Sequence, residues 1–128
     1  MRILLVDDQP DYRKTIAATL KYIGCSVVEY GGAKEALAAT PLSAPPDLIV
    51  TDIDLGVGPD GFALAEAARR QWPELPVLFI SGLQYAPPAG STGARSAMLQ
   101  KPFKLAELTK AMGALLSPSE RVPVSGAR

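Results

Sequence analysis

An α/β fold with a doubly wound parallel sheet of five strands is predicted by three features of the chain. Short runs of β-forming residues recur at 3–6, 26–29, 48–50, 76–80 and 97–99. Helix-forming stretches separate most of them, and such alternation argues for a parallel sheet covered by helices on both faces. The 128 residues, 48% hydrophobic and 20% charged, suffice for one folded core and leave little room for a second.

The elements follow in order. Ile3-Leu4-Leu5-Val6 is wholly apolar and stops at Asp7 and Asp8, the pattern of a strand buried on both faces. Residues 11–23 read as a helix, with Ile16, Leu20 and Ile23 spaced by four and three on one side and Gly24 ending it. Ser26-Val27-Val28-Glu29 is less apolar and suits an edge strand, and residues 33–39 make a short alanine-rich helix. Leu48-Ile49-Val50 is the third strand and runs on into Asp52. After a turn-rich loop at 56–61 comes a helix at 62–71, stopped by Pro73, with Trp72 covering core at its end. Pro76-Val77-Leu78-Phe79-Ile80 is the fourth strand and leads to Ser81-Gly82. Residues 83–93 contain two prolines and two glycines, and no helix is assigned there. Ala97-Met98-Leu99 is a weak fifth strand before Lys101-Pro102, and residues 105–116 form the last helix. Leu105, Leu108, Met112 and Leu115 or Leu116 are expected on its buried side. Prolines, serines and arginines beyond it predict a domain at 1–117 and a flexible tail at 118–128.

Bulk properties exclude several function classes. Lys plus Arg and Asp plus Glu number 13 each, so no broad field favours nucleic acid or an anionic membrane. No run approaches the roughly 20 apolar residues of a spanning helix, and the first apolar run is too short for a secretory signal. The single cysteine, Cys25, allows no internal disulfide or cysteine metal cluster and reads as a small buried residue. The absence of histidine removes His-ligated metal and phosphohistidine from this chain. The expectations are a cytoplasmic protein, monomer or weak homodimer, with no direct nucleic-acid or membrane contact.

In parallel sheets, ligands sit beyond the carboxyl ends of the strands, at the switch point in strand order. Here those ends carry Asp7 and Asp8, Asp52, Ser81 and Lys101. Three converging carboxylates repel one another unless a cation neutralises them, and Mg²⁺ suits a set of carboxylates, waters and phosphate oxygens. A carboxylate beside such an ion is a nucleophile toward phosphorus, and a hydroxyl and an ammonium can share the charge of the transferring group. The bland readings are an N-cap for Asp7-Asp8, a solvated strand end for Asp52 and Asp54, an ordinary turn at Ser81-Gly82 and a surface Lys101.

Val6-Asp7-Asp8, Thr51-Asp52-Ile53-Asp54, Ile80-Ser81-Gly82 and Lys101-Pro102-Phe103 together resemble the four motifs of receiver domains in bacterial two-component response regulators, in order and at close to the family spacing. The resemblance implies a flavodoxin-like (βα)5 three-layer sandwich with strand order 2-1-3-4-5. It makes Asp52 the phosphorylation site and Asp8, Asp52 and the main-chain carbonyl of Asp54 direct Mg²⁺ ligands, with Asp7 acting largely through water. Ser81 and Lys101 would bind the phosphoryl group, and the Lys101–Pro102 bond would be cis. The donor would be a sensor histidine kinase or histidine phosphotransfer protein. With no DNA-binding output domain in view, the signal would leave through protein contacts to a downstream partner.

Two features depart from the family pattern. Met98 stands three residues before the lysine, where many receivers carry an aromatic; a thioether fills the same inner gap without offering the same switch. Tyr85 is a possible substitute. The loop after Asp52 has Gly56 and Gly58 in place of a Met-Pro pair and is about one residue longer, which with residues 83–93 points to a short, shifted or disordered fourth helix. Two other functions compete: an interaction module that is never phosphorylated, and a haloacid-dehalogenase-type phosphatase, with Asp52 as nucleophile and Asp54 as acid/base. The phosphatase family places its metal-binding acidic pair late in the chain, whereas Asp7-Asp8 come first.

Overall fold

The computed structural model describes residues 1–39, 45–82 and 95–116. Within them lie five strands, β1 (Arg2–Val6), β2 (Ser26–Tyr30), β3 (Leu48–Asp52), β4 (Val77–Ser81) and β5 (Ser96–Gln100). The described helices are α1 (Pro10–Tyr22), α2 (Ala33–Ala39), α3 (Gly61–Gln71) and α4 (Leu105–Leu116). All neighbouring strands are parallel, in the order β2-β1-β3-β4-β5, the flavodoxin-like arrangement. Tyr85 and the rest of residues 83–94, and the expected tail at 118–128, lie outside the described residues.

Side-chain alternation within the apolar strands divides the core in two. Leu4, Val6, Ile49, Val77 and Phe79 face α2 and α3, where Ala33, Ala36, Leu64, Ala65 and Ala68 cover them. Ile3, Leu5, Leu48, Val50, Leu78 and Ile80 face α1 and α4, under Ile16, Leu20, Leu108, Met112 and Leu115. The helices therefore need only one apolar stripe each, whereas β1, β3 and β4 need apolar residues throughout. β2 lies at an edge, as its weaker pattern implies.

Several local expectations are corrected. Leu105 is 44% exposed, because the first residue of α4 sits at the rim and the buried stripe starts at Leu108. Cys25 is only half-buried; it lies just before β2 and packs against the core from its margin. Met98 is not fully buried: it is 37% exposed and pairs in register with Phe79, on the sheet face opposite Ala97 and Leu99. Trp72 does end α3 and packs on the core beside it. Phe103 packs onto the other core near the start of α4.

At the end of the sheet away from the strand-end carboxylates, Arg69 of α3 is a clamp. Its guanidinium donates to the carbonyls of Leu75 (3.0 Å) and Arg95 (2.7 Å) and to Ser96 Oγ (2.9 Å). Burial lowers its pKa below the ordinary guanidinium value. No described helix is long and apolar enough to cross a membrane.

Candidate functional site

The carboxyl ends of β1, β3 and β4 and the residue after β5 meet at one rim of the sheet. β1 delivers Asp7 and Asp8, and the Asp7 amide continues the ladder to the Tyr30 carbonyl at 3.1 Å. Asp52 is the last residue of β3 and Ser81 the last of β4. The Lys101 amide donates to the Ser81 carbonyl at 2.7 Å, which fixes the lysine beside β4, and the Lys101–Pro102 bond is cis. The four sequence-predicted positions are thus brought together.

The geometry is that of a lysine spanning two carboxylates. Lys101 Nζ lies 2.8 Å from Asp52 Oδ2 and 3.1 Å from Asp7 Oδ2, and 3.4 Å from Gln9 Oε1. Asp7 Oδ1 accepts the Gln9 amide at 2.9 Å, and Asp52 Oδ1 accepts the Asp54 amide at 3.2 Å. Asp7 is fully buried and Asp52 and Ser81 are each 6% exposed. An N-cap role for Asp7-Asp8 is not what holds them: the N-cap of α1 is Gln9, with no side-chain cap bond.

Carboxylate oxygens of Asp7, Asp8 and Asp52 all lie within 4.8 Å of one another. Oxygens on opposite sides of an octahedral Mg²⁺ are about 4.2 Å apart, so the cluster fits a small hard cation with little adjustment. A cleft of about 220 Å³ opens here, lined by Asp8, Asp52, Asp54, Ser81 and Lys101 among others. It has room for an ion, waters and a phosphoryl group and is smaller than the usual pocket for an organic ligand. Asp54 is exposed, and its Oδ1 accepts the Gly56 amide at 3.1 Å. That side chain shapes the turn, while the residue's main chain lies beside Asp52.

The model of the response regulator receiver domain matches residues 3–113. The chain belongs to the receiver family. This receiver is 38% identical over 117 residues to the transcriptional activator protein PfeR of Pseudomonas aeruginosa, covering 90% of the chain and 37% of PfeR. Across eight curated relatives that it matches, it spans between 17% and 52% of their length. Among solved structures it is similar to a response regulator receiver protein from Sinorhizobium medicae, with a TM-score of 0.82, 32% identity, and 92% and 95% of the two chains covered. It is also similar to the response regulator protein TrrA from Thermotoga maritima in complex with Mg²⁺-BeF. There the TM-score is 0.79 and the identity 26%, with 90% and 98% covered.

Electrostatics follow from the burial of this receiver's charges. Desolvation pushes Asp7 above its ordinary 3.8, against the Gln9 amide and the Lys101 ammonium, which pull it down; the nearby Asp52 charge adds to the rise. For Lys101, burial works to lower the pKa, but the hydrogen bond to Asp52 and the charges of Asp7 and Asp52 prevail and hold it above 10.5. A lysine so placed stays cationic and supplies the positive charge that the acidic cluster needs.

Three residues at the receiver's site were not singled out from sequence. Gln9 faces the cleft. Arg13 Nη1 donates to the Asp7 carbonyl at 2.9 Å while its Nε reaches Glu29 Oε1 at 3.4 Å, tying α1, β1 and β2 together behind Asp7. Tyr12 lies under Lys101, its ring centroid 4.1 Å from Nζ. The available signal was helical spacing: the residues following Asp8 form the first turn of α1, which stands directly over the strand ends.

Proposed function

We propose that this receiver is a Mg²⁺-dependent phosphoryl acceptor, with Asp52 taking the group from a phosphohistidine on a sensor kinase or phosphotransfer protein. The single observation that carries the reading is Asp52 itself. It is a nearly buried carboxylate, ion-paired to Lys101 at 2.8 Å, with two further carboxylates and Ser81 around one small open cleft. Such a site suits a phosphoryl group and an ion and leaves no evident room for a larger substrate.

Asp8, Asp52 and the Asp54 carbonyl would hold the ion directly, with Asp7 acting through water. When bound, Mg²⁺ neutralises the carboxylates and the charge on the phosphoryl oxygens. The Asp52 carboxylate attacks phosphorus in line, an O–P bond forms as the P–N bond breaks, and the electron pair returns to the departing imidazole. Lys101 then exchanges Asp52 Oδ2 for a phosphoryl oxygen, and Ser81 Oγ donates to another. Attack of water on phosphorus releases phosphate and restores Asp52. The chain thus catalyses only its own phosphorylation and dephosphorylation, as a cytoplasmic signalling component that passes its state on through protein contacts.

The test is incubation with a small phosphodonor with and without Mg²⁺, alongside an aryl phosphate. The reading expects acid-labile label on the protein only with the metal and no catalytic turnover of the ester. Steady turnover of the ester would favour a phosphatase. No label from any donor would favour a pure interaction module.

A further inference from the structure

The Lys101 ammonium has three N–H groups, and three acceptors surround it: Asp52 Oδ2, Asp7 Oδ2 and Gln9 Oε1. The Tyr12 ring face covers it at 4.1 Å. The ring is held in turn by Phe103, with centroids 6.3 Å apart and planes at 59°. Tyr12 is half-buried, with its outer side lining a groove between α1 and the start of α4. Burial raises its pKa above 10.0 despite the nearby lysine, with Asp7 and Asp52 adding to the rise, so the phenol remains neutral.

We propose that Tyr12 is a positioning residue for phosphoryl transfer, its ring face holding the Lys101 ammonium in place while that ammonium passes from Asp52 to the incoming phosphoryl group. Of the four contacts, only the one to Asp52 Oδ2 belongs to the reacting carboxylate, and that one must break. Asp7, Gln9 and the ring remain, and the ring is the apolar member that restrains the cation without competing for its protons. A cation over an aromatic face is favoured by roughly 0.5–2 kcal/mol, depending on desolvation. Lost from the transition state, that is roughly a two- to thirtyfold slower transfer. This inference rests on the phosphoacceptor reading.

The experiment compares the wild-type chain with Tyr12→Leu and Tyr12→Phe, using acetyl phosphate and Mg²⁺. It records the labelling rate at saturating donor, Mg²⁺ affinity by calorimetry, and the NMR shifts of the Lys101 ε-methylene protons. Tyr12→Leu is expected to label roughly two- to thirtyfold more slowly at saturation, with Mg²⁺ affinity unchanged and the ring-current shift of Lys101 lost. Tyr12→Phe, which keeps the face, recovers both rate and shift. Labelling of Tyr12→Leu at the wild-type rate, or an equal loss in Tyr12→Phe, overturns the proposal. Labelling of the wild-type chain is a separate control: its absence would count against the phosphoacceptor reading, whereas its presence leaves the Tyr12 comparison to stand or fall alone.

Discussion

Gly61, the first residue of α3, lies so close to the main chain of Asp52 that a β-carbon on it would run into the Asp52 carbonyl oxygen and crowd Ile53 Cα. Its amide donates to the Ile53 carbonyl at 2.8 Å, so the start of α3 is docked against the segment that carries the Asp52 carboxylate. Glycine is required here by close approach. Gly61→Ala is therefore expected to cost about 1–3 kcal/mol of stability, as overpacking does, and to slow labelling of the molecules that remain folded. Denaturant unfolding and labelling rates check both; wild-type values in each would contradict the docking account.

Gly56 acts on a different carboxylate. Its φ is +76°, and a β-carbon would stand 3.2 Å from Asp8 Oδ2. Gly56→Ala should lose about 1–2 kcal/mol from backbone strain alone and weaken Mg²⁺ binding by pressing on Asp8. Saturating Mg²⁺ at a hundred times its Kd should stabilise the wild-type chain by about 2.7 kcal/mol and the variant less at the same concentration. Equal metal-induced shifts in Tm would refute the link to Asp8.

Asp7 gives a pH dependence with a definite sign. Its folded pKa is raised above 3.8 by burial, so the folded chain holds that proton more tightly than the unfolded chain does. The charged form is a cost present at neutral pH and relieved as pH falls through the folded pKa toward 3.8. In metal-free protein, Asp7→Asn should raise stability at pH 7, with the gain shrinking as the solution is acidified into that window. A variant less stable than wild type at pH 7, or a gain that grows on acidification, would contradict the assignment.

Arg69 provides the contrast, because its hydrogen bonds to Leu75, Arg95 and Ser96 lie away from the carboxylates. Arg69→Met should lower stability by about 1–3 kcal/mol and leave labelling per folded molecule unchanged. Loss of labelling without loss of stability would show that the clamp reaches the site.

The strand-end residues were legible because a parallel sheet sends every carboxyl end to one rim, so Asp7, Asp8, Asp52, Ser81 and Lys101 could be gathered from strand positions alone. The division of the core into two faces follows instead from side-chain alternation within the strands. Tyr12 was not legible, since its partner Lys101 is distant in sequence and the contact depends on where α1 stands above the sheet. Gly61 reads as loop in one dimension and as a close approach only in three. Alternation places Met98 on the face opposite Ala97 and Leu99, in register with Phe79, but its 37% exposure depends on packing that a strand pattern does not encode.

The most direct test of the account is the fate of Asp52. With acetyl phosphate and Mg²⁺, the wild-type chain should gain one acid-labile phosphoryl group that maps to Asp52, and Asp52→Asn should gain none, because an amide is a far poorer nucleophile. Undiminished labelling of Asp52→Asn, or label mapped to another residue, would contradict it.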